Sequence, residues 1–209
     1  MKLYDFTIAP NPRRVRIFLA EKGVEIPIVQ IDLMQGEQFS PEFSQKCPSN
    51  EVPLLELDNG VCISQVDAIC RYIEAKYPQN PLYGTTPEEI GLIEMWNHIA
   101  FMNGIGAVAE SFRNGAEAFK NRAVVGPNPH AQIPALIERG NKRTLEFFAN
   151  IDGHLASRQF MAGDRYSIAD ITTLVAVDFA KWIKLEAPAE LVHLTRWYTE
   201  VSQRPSAQA

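Results

Sequence analysis

The strongest constraint on this chain is a change of pattern near residue 86. Before that point short apolar runs alternate with helical patterns, whereas helical periodicity continues from there to the C-terminus. Pro and Gly residues separate the two parts, in residues 79–85. A chain of 209 residues is long enough for two small domains that each bury a core. The pattern therefore predicts a domain over residues 1–78, a linker over 79–85 and an all-helical domain over 86–209.

The first part has the pattern of a small α/β unit. Its predicted elements are a strand, a helix, a strand, a hairpin and a helix, over residues 2–7, 13–22, 26–31, 54–63 and 65–76. Asn59-Gly60 between two apolar runs is a strong hairpin signal, and Gly23 is the expected stop of the first helix. Short strands mixed with helices in this order predict an α/β domain.

Charge and cysteine content argue against several classes of function. The net charge of −5 disfavours nucleic-acid binding, which needs clustered Lys and Arg to neutralise phosphates. Cys47, Cys62 and Cys70 form no C-x-x-C pair and have no His at metal-ligand spacing, so we expect reduced thiols and no metal site. No stretch approaches the roughly 20 apolar residues that span a bilayer, and the chain begins with polar residues instead of a signal sequence. We therefore expect a cytoplasmic protein that binds neither nucleic acid nor membrane.

Two helix starts in the second part are marked by capping residues. Thr86–Glu89 combines a capping residue, a Pro at the first helical position and acids near the positive end of the helix dipole. Ser167 and Asp170 predict a reciprocal capping box, flanked by Tyr166 and Ile171 at the positions of a hydrophobic staple. We expect this box to serve folding and not chemistry.

Three segments of the first part have residues suited to binding an anion or a thiolate. Asn11, which precedes Pro12, is predicted either to cap the first helix or to donate a hydrogen bond to a thiolate at its positive end. Val52-Pro53 stands at a strand start or edge, where a cis bond is allowed. Ser64–Asp67 predicts a second capping box, which leaves the two amides between its ends available to a carboxylate.

Together these segments resemble the cytosolic glutathione transferase family over essentially the whole chain. The resemblance rests on four stretches: Arg14–Gly23, Val52–Leu55, Gln65 with Ala68-Ile69, and the Ser167–Asp170 box. It implies a thioredoxin-like N-terminal domain, an all-helical C-terminal domain and a homodimer. It also implies glutathione as the co-substrate and no metal.

The resemblance further implies the residues of a glutathione site. Pro53 is expected to be cis, and the Val52 main chain to pair with the cysteinyl part of glutathione. Gln65 and the amide of Val66 are expected to hold the γ-glutamyl end. The helix that begins near Asn11 is expected to face the sulfur.

Two positions depart from the family pattern. The position of the sulfur-facing Ser falls on Ala9 and that of the bacterial cysteine-type residue on Asn11, which resembles the nu-class bacterial enzymes. Those enzymes act on disulfides and peroxides and usually carry Thr in place of Ala9; Thr7 is the hydroxyl nearby. Val66 replaces a Ser whose hydroxyl contacts the γ-glutamyl carboxylate in the family.

The expected catalytic residues are therefore Asn11 and Thr7, and the expected glutathione-binding residues are Asn11, Val52, Pro53, Gln65 and Val66. The expected reaction uses the glutathione thiolate for conjugation to an apolar electrophile or for reduction of a disulfide or peroxide. The alternative is a glutathione- or ligand-binding scaffold without turnover, which Ala9 and Val66 favour. A thioredoxin-type dithiol reductase is disfavoured because Asn11 stands where it needs a reactive Cys.

Overall fold

The computed structural model describes residues 1–209, which form two units. The first unit comprises Met1–Asn80, Val124–His130 and Ala209, and the second comprises Pro81–Ala123 and Ala131–Gln208. The change from mixed to helical structure lies close to the division between them. The sequence did not indicate that Val124–His130, far along the chain, belongs with the first unit.

The first unit contains one four-stranded sheet. Its strands are β1 (Lys2–Asp5), β2 (Ile28–Gln30), β3 (Leu54–Glu56) and β4 (Cys62–Ser64), in the spatial order β2-β1-β3-β4. β1 pairs with β2 in parallel and with β3 antiparallel, and the predicted hairpin joins β3 to β4. Its helices are α1 (Pro10–Lys22), α2 (Pro41–Lys46) and α3 (Val66–Lys76). This is the predicted thioredoxin-like α/β domain.

Two sets of apolar side chains stabilise the first unit. Leu3 and Leu55, which are cross-strand partners, are fully buried. Because side chains alternate along a strand, the neighbouring residues of β1 and β3 belong to a different set. That set is the cluster of Tyr4, Ile31, Phe43, Cys47, Val52 and Leu54. The Phe43 ring of α2 packs edge-to-face against Tyr4 at a centroid distance of 5.7 Å, so α2 is anchored to the sheet.

Several boundaries differ from the prediction. α1 begins three residues earlier, at Pro10, because the fixed φ of Pro suits the first helical position. α3 begins one residue later, at Val66, because Ser64 stays paired with Leu54 in the sheet. β1 and β2 are shorter than predicted, and α2 was not predicted at all. The overlooked signal for α2 is Ser40, whose hydroxyl oxygen accepts a hydrogen bond from the amide three residues on at 3.2 Å.

The second unit is built from helices. They are α4 (Pro87–Ile99), α5 (Gly106–Gly115), α6 (Ala135–Leu155), α7 (Ile168–Ala180) and α8 (Val192–Ser202), with a π-helical segment, Ala100–Ile105, between α4 and α5. All residues of α7 except Asp178 are buried, so α7 is the central helix of this unit. None of the helices is both long enough and apolar enough to cross a membrane.

Both predicted caps of the second unit are present. The Thr86 hydroxyl oxygen accepts from the Glu89 N–H at 3.2 Å, and the Glu89 carboxylate accepts from the Thr86 N–H at 3.3 Å. Ser167 and Asp170 form the predicted capping box at α7. The Asp170 carboxylate also accepts from the Trp197 indole N–H at 2.9 Å, so this buried group joins α7 to α8.

Candidate functional site

The register of the sheet brings three loops to one end of it. Tyr4, near the end of β1, pairs with Leu54 at the start of β3, and Leu54 pairs with Ser64 at the end of β4. The segments that follow β1, precede β3 and follow β4 therefore leave the sheet at the same end. These segments contain every residue for which the sequence predicted a role: Thr7, Asn11, Val52, Pro53, Gln65 and Val66.

The first segment leads into α1, whose first turn has few main-chain donors. Ala9 is the N-cap and makes no side-chain hydrogen bond. Pro10 and Pro12 have no N–H, and the Arg13 N–H donates to the Ala9 carbonyl at 3.2 Å. The Asn11 N–H is therefore the donor that this turn offers to a ligand. No acidic side chain lies in the turn to weaken the positive end of the helix dipole.

Asn11 does not cap α1, so the capping role considered for it is wrong. It is the second residue of the helix because Pro10 already occupies the first position. Its side-chain oxygen Oδ1 is buried without a hydrogen-bond partner. An unsatisfied buried acceptor costs about 1–3 kcal/mol. A peptide-like ligand such as glutathione fits this atom because its N–H donors can satisfy the acceptor.

Thr7 is held in a hydrogen-bond network at the edge of the sheet. Its N–H and its hydroxyl both donate to Gln30 Oε1 at 3.0 Å, and Arg16 donates to its carbonyl at 2.6 Å. The buried Asp5 carboxylate accepts from Arg16 at 2.5 Å and from Gln30 at 2.8 Å. The hydroxyl proton of Thr7 is thus committed to Gln30, and the network fixes the loop that precedes Asn11.

The second segment contains the Val52-Pro53 peptide bond, which is cis as predicted. Val52 precedes β3, and neither its amide nor its carbonyl makes a hydrogen bond with another main-chain group. Its side chain is buried in the cluster with Leu54 and Phe43. The side chain therefore anchors Val52, while its main-chain donor and acceptor stay available to the backbone of a ligand.

The third segment leads into α3. Gln65 is the N-cap, with φ 73° and ψ 128° and no side-chain capping bond. The predicted Ser64–Asp67 capping box is therefore wrong, because Ser64 remains in β4 and the helix starts one residue later than the box requires. Helical hydrogen bonding begins with the Ile69 N–H, which donates to the Gln65 carbonyl at 3.0 Å. The amide of Val66, in the first turn, has no helical partner and can bind a carboxylate.

Both units match known protein families. Residues 1–75 match the model of the glutathione S-transferase N-terminal domain, and residues 118–205 match that of the glutathione S-transferase C-terminal domain. The chain belongs to the glutathione S-transferase family. Glutathione S-transferase 2 of Saccharomyces cerevisiae is 37% identical over 213 residues, which cover 100% of this chain and 88% of that protein.

Solved structures of this family have the same fold. Gtt2 from Saccharomyces cerevisiae superposes with a TM-score of 0.90 at 36% identity, over 100% of this chain and 99% of that one. A glutathione S-transferase domain-containing protein from Marinobacter aquaeolei superposes with a TM-score of 0.89 at 36% identity, over 99% of each chain. Membership of this family supports a glutathione-binding transferase function.

An ion pair between a buried arginine and a partly exposed aspartate links the starts of α1 and α3. The Arg14 side chain of α1 is only 1% exposed, and its guanidinium lies 3.2 Å from the Asp67 carboxylate of α3. Because both residues lie in the first turns or just beyond them, the contact fixes the two helices at the end where the three loops meet. Charge alone gave no sign of this pair, since neighbouring Arg13 and Arg16 are equally basic.

Glu51 is a second residue of the site region that the sequence analysis did not assign. Its carboxylate Oε1 accepts a hydrogen bond from Gln65 Nε2 at 2.5 Å, across the gap between the second and third segments. The available signal was an acidic residue directly before Val52-Pro53. An acidic residue at this position predicts no role by itself, because only the fold shows which side chain Glu51 faces.

Burial disfavours the charged thiolate form of two of the three cysteines. Burial raises the pKa of the Cys70 thiol in α3, and partial burial together with the Glu56 carboxylate raises the pKa of Cys62. Cys47 is buried, and its Sγ donates to the Glu51 carbonyl at 3.4 Å. Cys47 and Cys70 are core residues. Thiol chemistry at this site therefore calls for a thiol brought by a ligand.

Proposed function

We propose that this protein is a glutathione transferase in which Asn11 and the start of α1 stabilise the thiolate of bound glutathione. The observation that carries the proposal is the placement of Asn11, whose main-chain N–H and side-chain amide are donors in a helix turn otherwise occupied by Pro10 and Pro12. A helix N-terminus and hydrogen bonds to sulfur both favour the charged form of a thiol, so they lower its pKa. Ala9 supplies no hydroxyl for this purpose.

The other two segments hold the peptide part of glutathione in this proposal. The amide and carbonyl of Val52, next to cis Pro53, pair with the main chain of the cysteinyl residue. Gln65 and the amide of Val66 bind the γ-glutamyl end, with its α-carboxylate at the start of α3. Thr7 has a positioning role in place of the catalytic role first considered, because its hydroxyl proton is already donated to Gln30.

The bound thiolate is the nucleophile in the proposed reaction. In conjugation its sulfur bonds to an electrophilic carbon of an apolar substrate, and the leaving group departs with its bonding electrons. The contribution of the protein is to keep the sulfur ionised and to fix its position, since correct placement accounts for much of the rate gain. No side chain of the protein forms a covalent bond.

Reduction of a disulfide or peroxide is the second candidate. It is favoured by Asn11, which resembles the residue at this position in the nu-class enzymes. In this case the thiolate attacks a disulfide sulfur or a peroxide oxygen, and a second glutathione completes the reduction with release of glutathione disulfide. The same Asn11 contacts serve both reactions because both begin with the thiolate.

Titration calorimetry combined with turnover assays tests this proposal. We expect binding of glutathione, and turnover with an activated aryl halide, a dialkyl disulfide or an alkyl peroxide. Turnover restricted to the disulfide or peroxide, with comparable affinity for glutathione and glutathione disulfide, would favour the reductase. Binding without turnover would make the chain a ligand-binding scaffold, and no binding of either compound would contradict the proposal.

We also propose a cytoplasmic homodimer, as the family resemblance implies. Sedimentation equilibrium over a range of protein concentrations tests the assembly. A monomer at micromolar concentration would contradict it.

A further inference from the structure

The carboxylate of Asp5, the last residue of β1, binds two side chains from neighbouring elements. Asp5 is only 1% exposed. Its Oδ1 accepts from Arg16 of α1 at 2.5 Å, and its Oδ2 accepts from Gln30 of β2 at 2.8 Å. Both oxygens therefore have a donor, and one buried group connects the first strand, the first helix and the edge strand of the sheet.

The two partners of Asp5 meet again at Thr7. Gln30 Oε1 accepts from the N–H and from the hydroxyl of Thr7, and Arg16 donates to the Thr7 carbonyl. β1 ends at Asp5, whose carbonyl accepts from the Ile31 N–H at 2.8 Å, so Thr7 lies beyond the main-chain pairing of β1 with β2. Side chains thus continue the pairing of the sheet into the loop before α1.

The charge of Asp5 decides which end of the Gln30 amide faces Thr7. A carboxylate only accepts hydrogen bonds, so it binds the NH₂ group of Gln30 and turns the amide oxygen toward the Thr7 N–H. If an uncharged amide stood at position 5 with its NH₂ group toward Gln30, the Gln30 amide would turn round and set its own NH₂ group against the Thr7 N–H. The anchor of the loop therefore depends on the charge of Asp5 and not on its volume.

The anchored loop leads directly into the turn that bears Asn11. Two residues separate Thr7 from Pro10, where α1 begins. Arg16 is itself a residue of α1, so its bond to the Thr7 carbonyl joins the loop to the helix whose first turn contains Asn11. Loop and turn are held as one piece. A displacement of about 1 Å at a catalytic group can lower a rate about 10²-fold, so the position of this piece matters to the chemistry.

We propose that Asp5 is a positioning residue that holds, through Gln30 and Arg16, the loop leading into the first turn of α1. In the proposed function this turn places the donors of Asn11 at the sulfur, and the inference rests on that function. Asp5 is buried in the sheet, so it acts only through its two partners. Because Asp5 and Arg16 carry opposite charges, the network supplies geometry and no net charge.

The test is a double-mutant cycle that exchanges the carboxylate and the amide of the pair. Asp5→Asn sets an NH₂ group against the NH₂ group of Gln30, and Gln30→Glu sets a second carboxylate against Asp5. Each single variant should lower kcat/KM about tenfold and raise the pKa of bound glutathione, as expected for the loss of one hydrogen bond to the sulfur.

The double variant, Asp5→Asn with Gln30→Glu, again pairs an amide with a carboxylate and again offers an acceptor to Thr7. It should return kcat/KM to within about threefold of the wild type, because the two changes act on one contact and are not additive. Absorbance of the thiolate against pH reports the pKa of bound glutathione in all four proteins.

Two further measurements separate positioning from a general loss of the site. S-methylglutathione has no thiol to ionise, so titration calorimetry should give it the same affinity, within about twofold, in all four proteins. Asp152→Ala is the matched control, since it removes the acceptor of the His193 and Leu194 N–H groups at the start of α8. It should lower the free energy of unfolding and leave kcat/KM and the pKa of bound glutathione unchanged.

A lower pKa of bound glutathione in Asp5→Asn would mean that the freed charge of Arg16 acts on the sulfur directly. Unchanged kinetics would mean that the network serves stability alone. Either result overturns the inference, as does a double variant no better than the single ones. Gln30 is exposed, so Gln30→Glu tests the same contact should Asp5→Asn fail to fold.

The wild type distinguishes the inference from the proposed function. If it binds and turns over glutathione while the cycle fails, only the role of Asp5 is wrong. If it does neither, the proposed function and the inference both fall.

Discussion

The helices α7 and α3 begin in opposite ways. At α7 the chain satisfies its own donors: the Asp170 carboxylate accepts from the Ser167 N–H at 3.0 Å, and the Ile168 N–H donates to the Leu82 carbonyl at 3.1 Å. At α3 the N-cap is Gln65, which has a positive φ of 73° and no side-chain capping bond. We call the start of α7 closed, because acceptors of the protein bind its N–H groups. We call the start of α3 open, because no side chain caps it.

A closed helix start serves folding, whereas an open helix start can serve the binding of a ligand. A closed helix start contributes to stability because every buried donor has a partner. An open start forgoes that contribution but keeps amides and a positive dipole end for an anion. The start of α1 resembles that of α3, since Ala9 makes no capping bond and Asn11 Oδ1 has no partner. Substitutions at closed starts should therefore affect stability, and those at open starts should affect binding.

The largest effect is expected from Asp170→Ala. The substitution removes the acceptor of four buried donors: the N–H groups of Met161 and Ser167, the Ser167 hydroxyl and the indole N–H of Trp197. At about 1–3 kcal/mol for each, the free energy of unfolding should fall by at least about 3 kcal/mol. Urea denaturation followed by circular dichroism measures it. A loss below about 1 kcal/mol would mean that the α7 start is not closed by this carboxylate.

Asn11→Ala should affect turnover and not stability. Loss of a hydrogen bond to a charged group, about 1.5–3 kcal/mol, should lower kcat/KM by tenfold or more and raise the pKa of bound glutathione. Stability should be unchanged or higher, because Ala removes an unsatisfied buried acceptor. Thiolate absorbance against pH reports the pKa.

Asn11→Asp is the matched variant, since an acid suits a helix N-terminus but repels a thiolate. It should stabilise the fold and raise the pKa of bound glutathione further. Unchanged turnover and pKa in both variants would leave thiolate stabilisation to the main chain of α1.

Val66→Ser should tighten glutathione binding by about 1 kcal/mol, because the hydroxyl adds a donor beside the α-carboxylate. The same change should lower the free energy of unfolding by about 1 kcal/mol, since Val66 is only 5% exposed and its methyl groups leave the core. Titration calorimetry and urea denaturation measure the two effects. Val66→Ala is the control, because it loses the burial without gaining a donor, and equal binding by both variants would count against the hydroxyl contact.

The smallest effect is expected from Gln65→Gly, which should raise the stability of the fold and weaken the binding of glutathione. At φ 73° a non-glycine residue is strained, so glycine should raise the free energy of unfolding by about 0.5–1 kcal/mol. Loss of the side chain should weaken glutathione binding. Lys184→Gly, at φ 59° in the second unit, is the control that should gain stability without changing affinity. Weaker stability together with full binding of glutathione by Gln65→Gly would reverse the assignment of α3 as an open start.

Local signals predicted those features that neighbouring residues decide by themselves. The Asn59-Gly60 turn predicted the β3–β4 hairpin, and the Ser167 and Asp170 pair predicted the start of α7. The cis bond at Pro53, expected from the family resemblance, is present as well. The hairpin and the α7 start each depend on residues only a few positions apart, so the sequence contains the whole interaction.

The starts of α1 and α3 were assigned wrongly for different reasons, since a distant contact decides the start of α3 and a neighbouring residue decides that of α1. Ser64 has the composition of an N-cap, but its pairing with Leu54 keeps it in the sheet and moves the cap to Gln65. Asn11 likewise has a capping side chain, yet Pro10 begins the helix before it. In both cases a local signal predicted a helix near the right place and missed its first residue.

The sequence by itself predicted the two kinds of domain, and its resemblance to the glutathione transferases predicted the family. Apolar periodicity and turn residues suffice for the two kinds of domain because they are local and repeated. Only the tertiary structure decided that Glu51 faces Gln65, that Thr7 is bound to Gln30 and that Arg14 is buried against Asp67. Those pairs are separated by 14 to 53 positions along the chain, and nothing but the packing of the sheet and its helices brings them within hydrogen-bond distance.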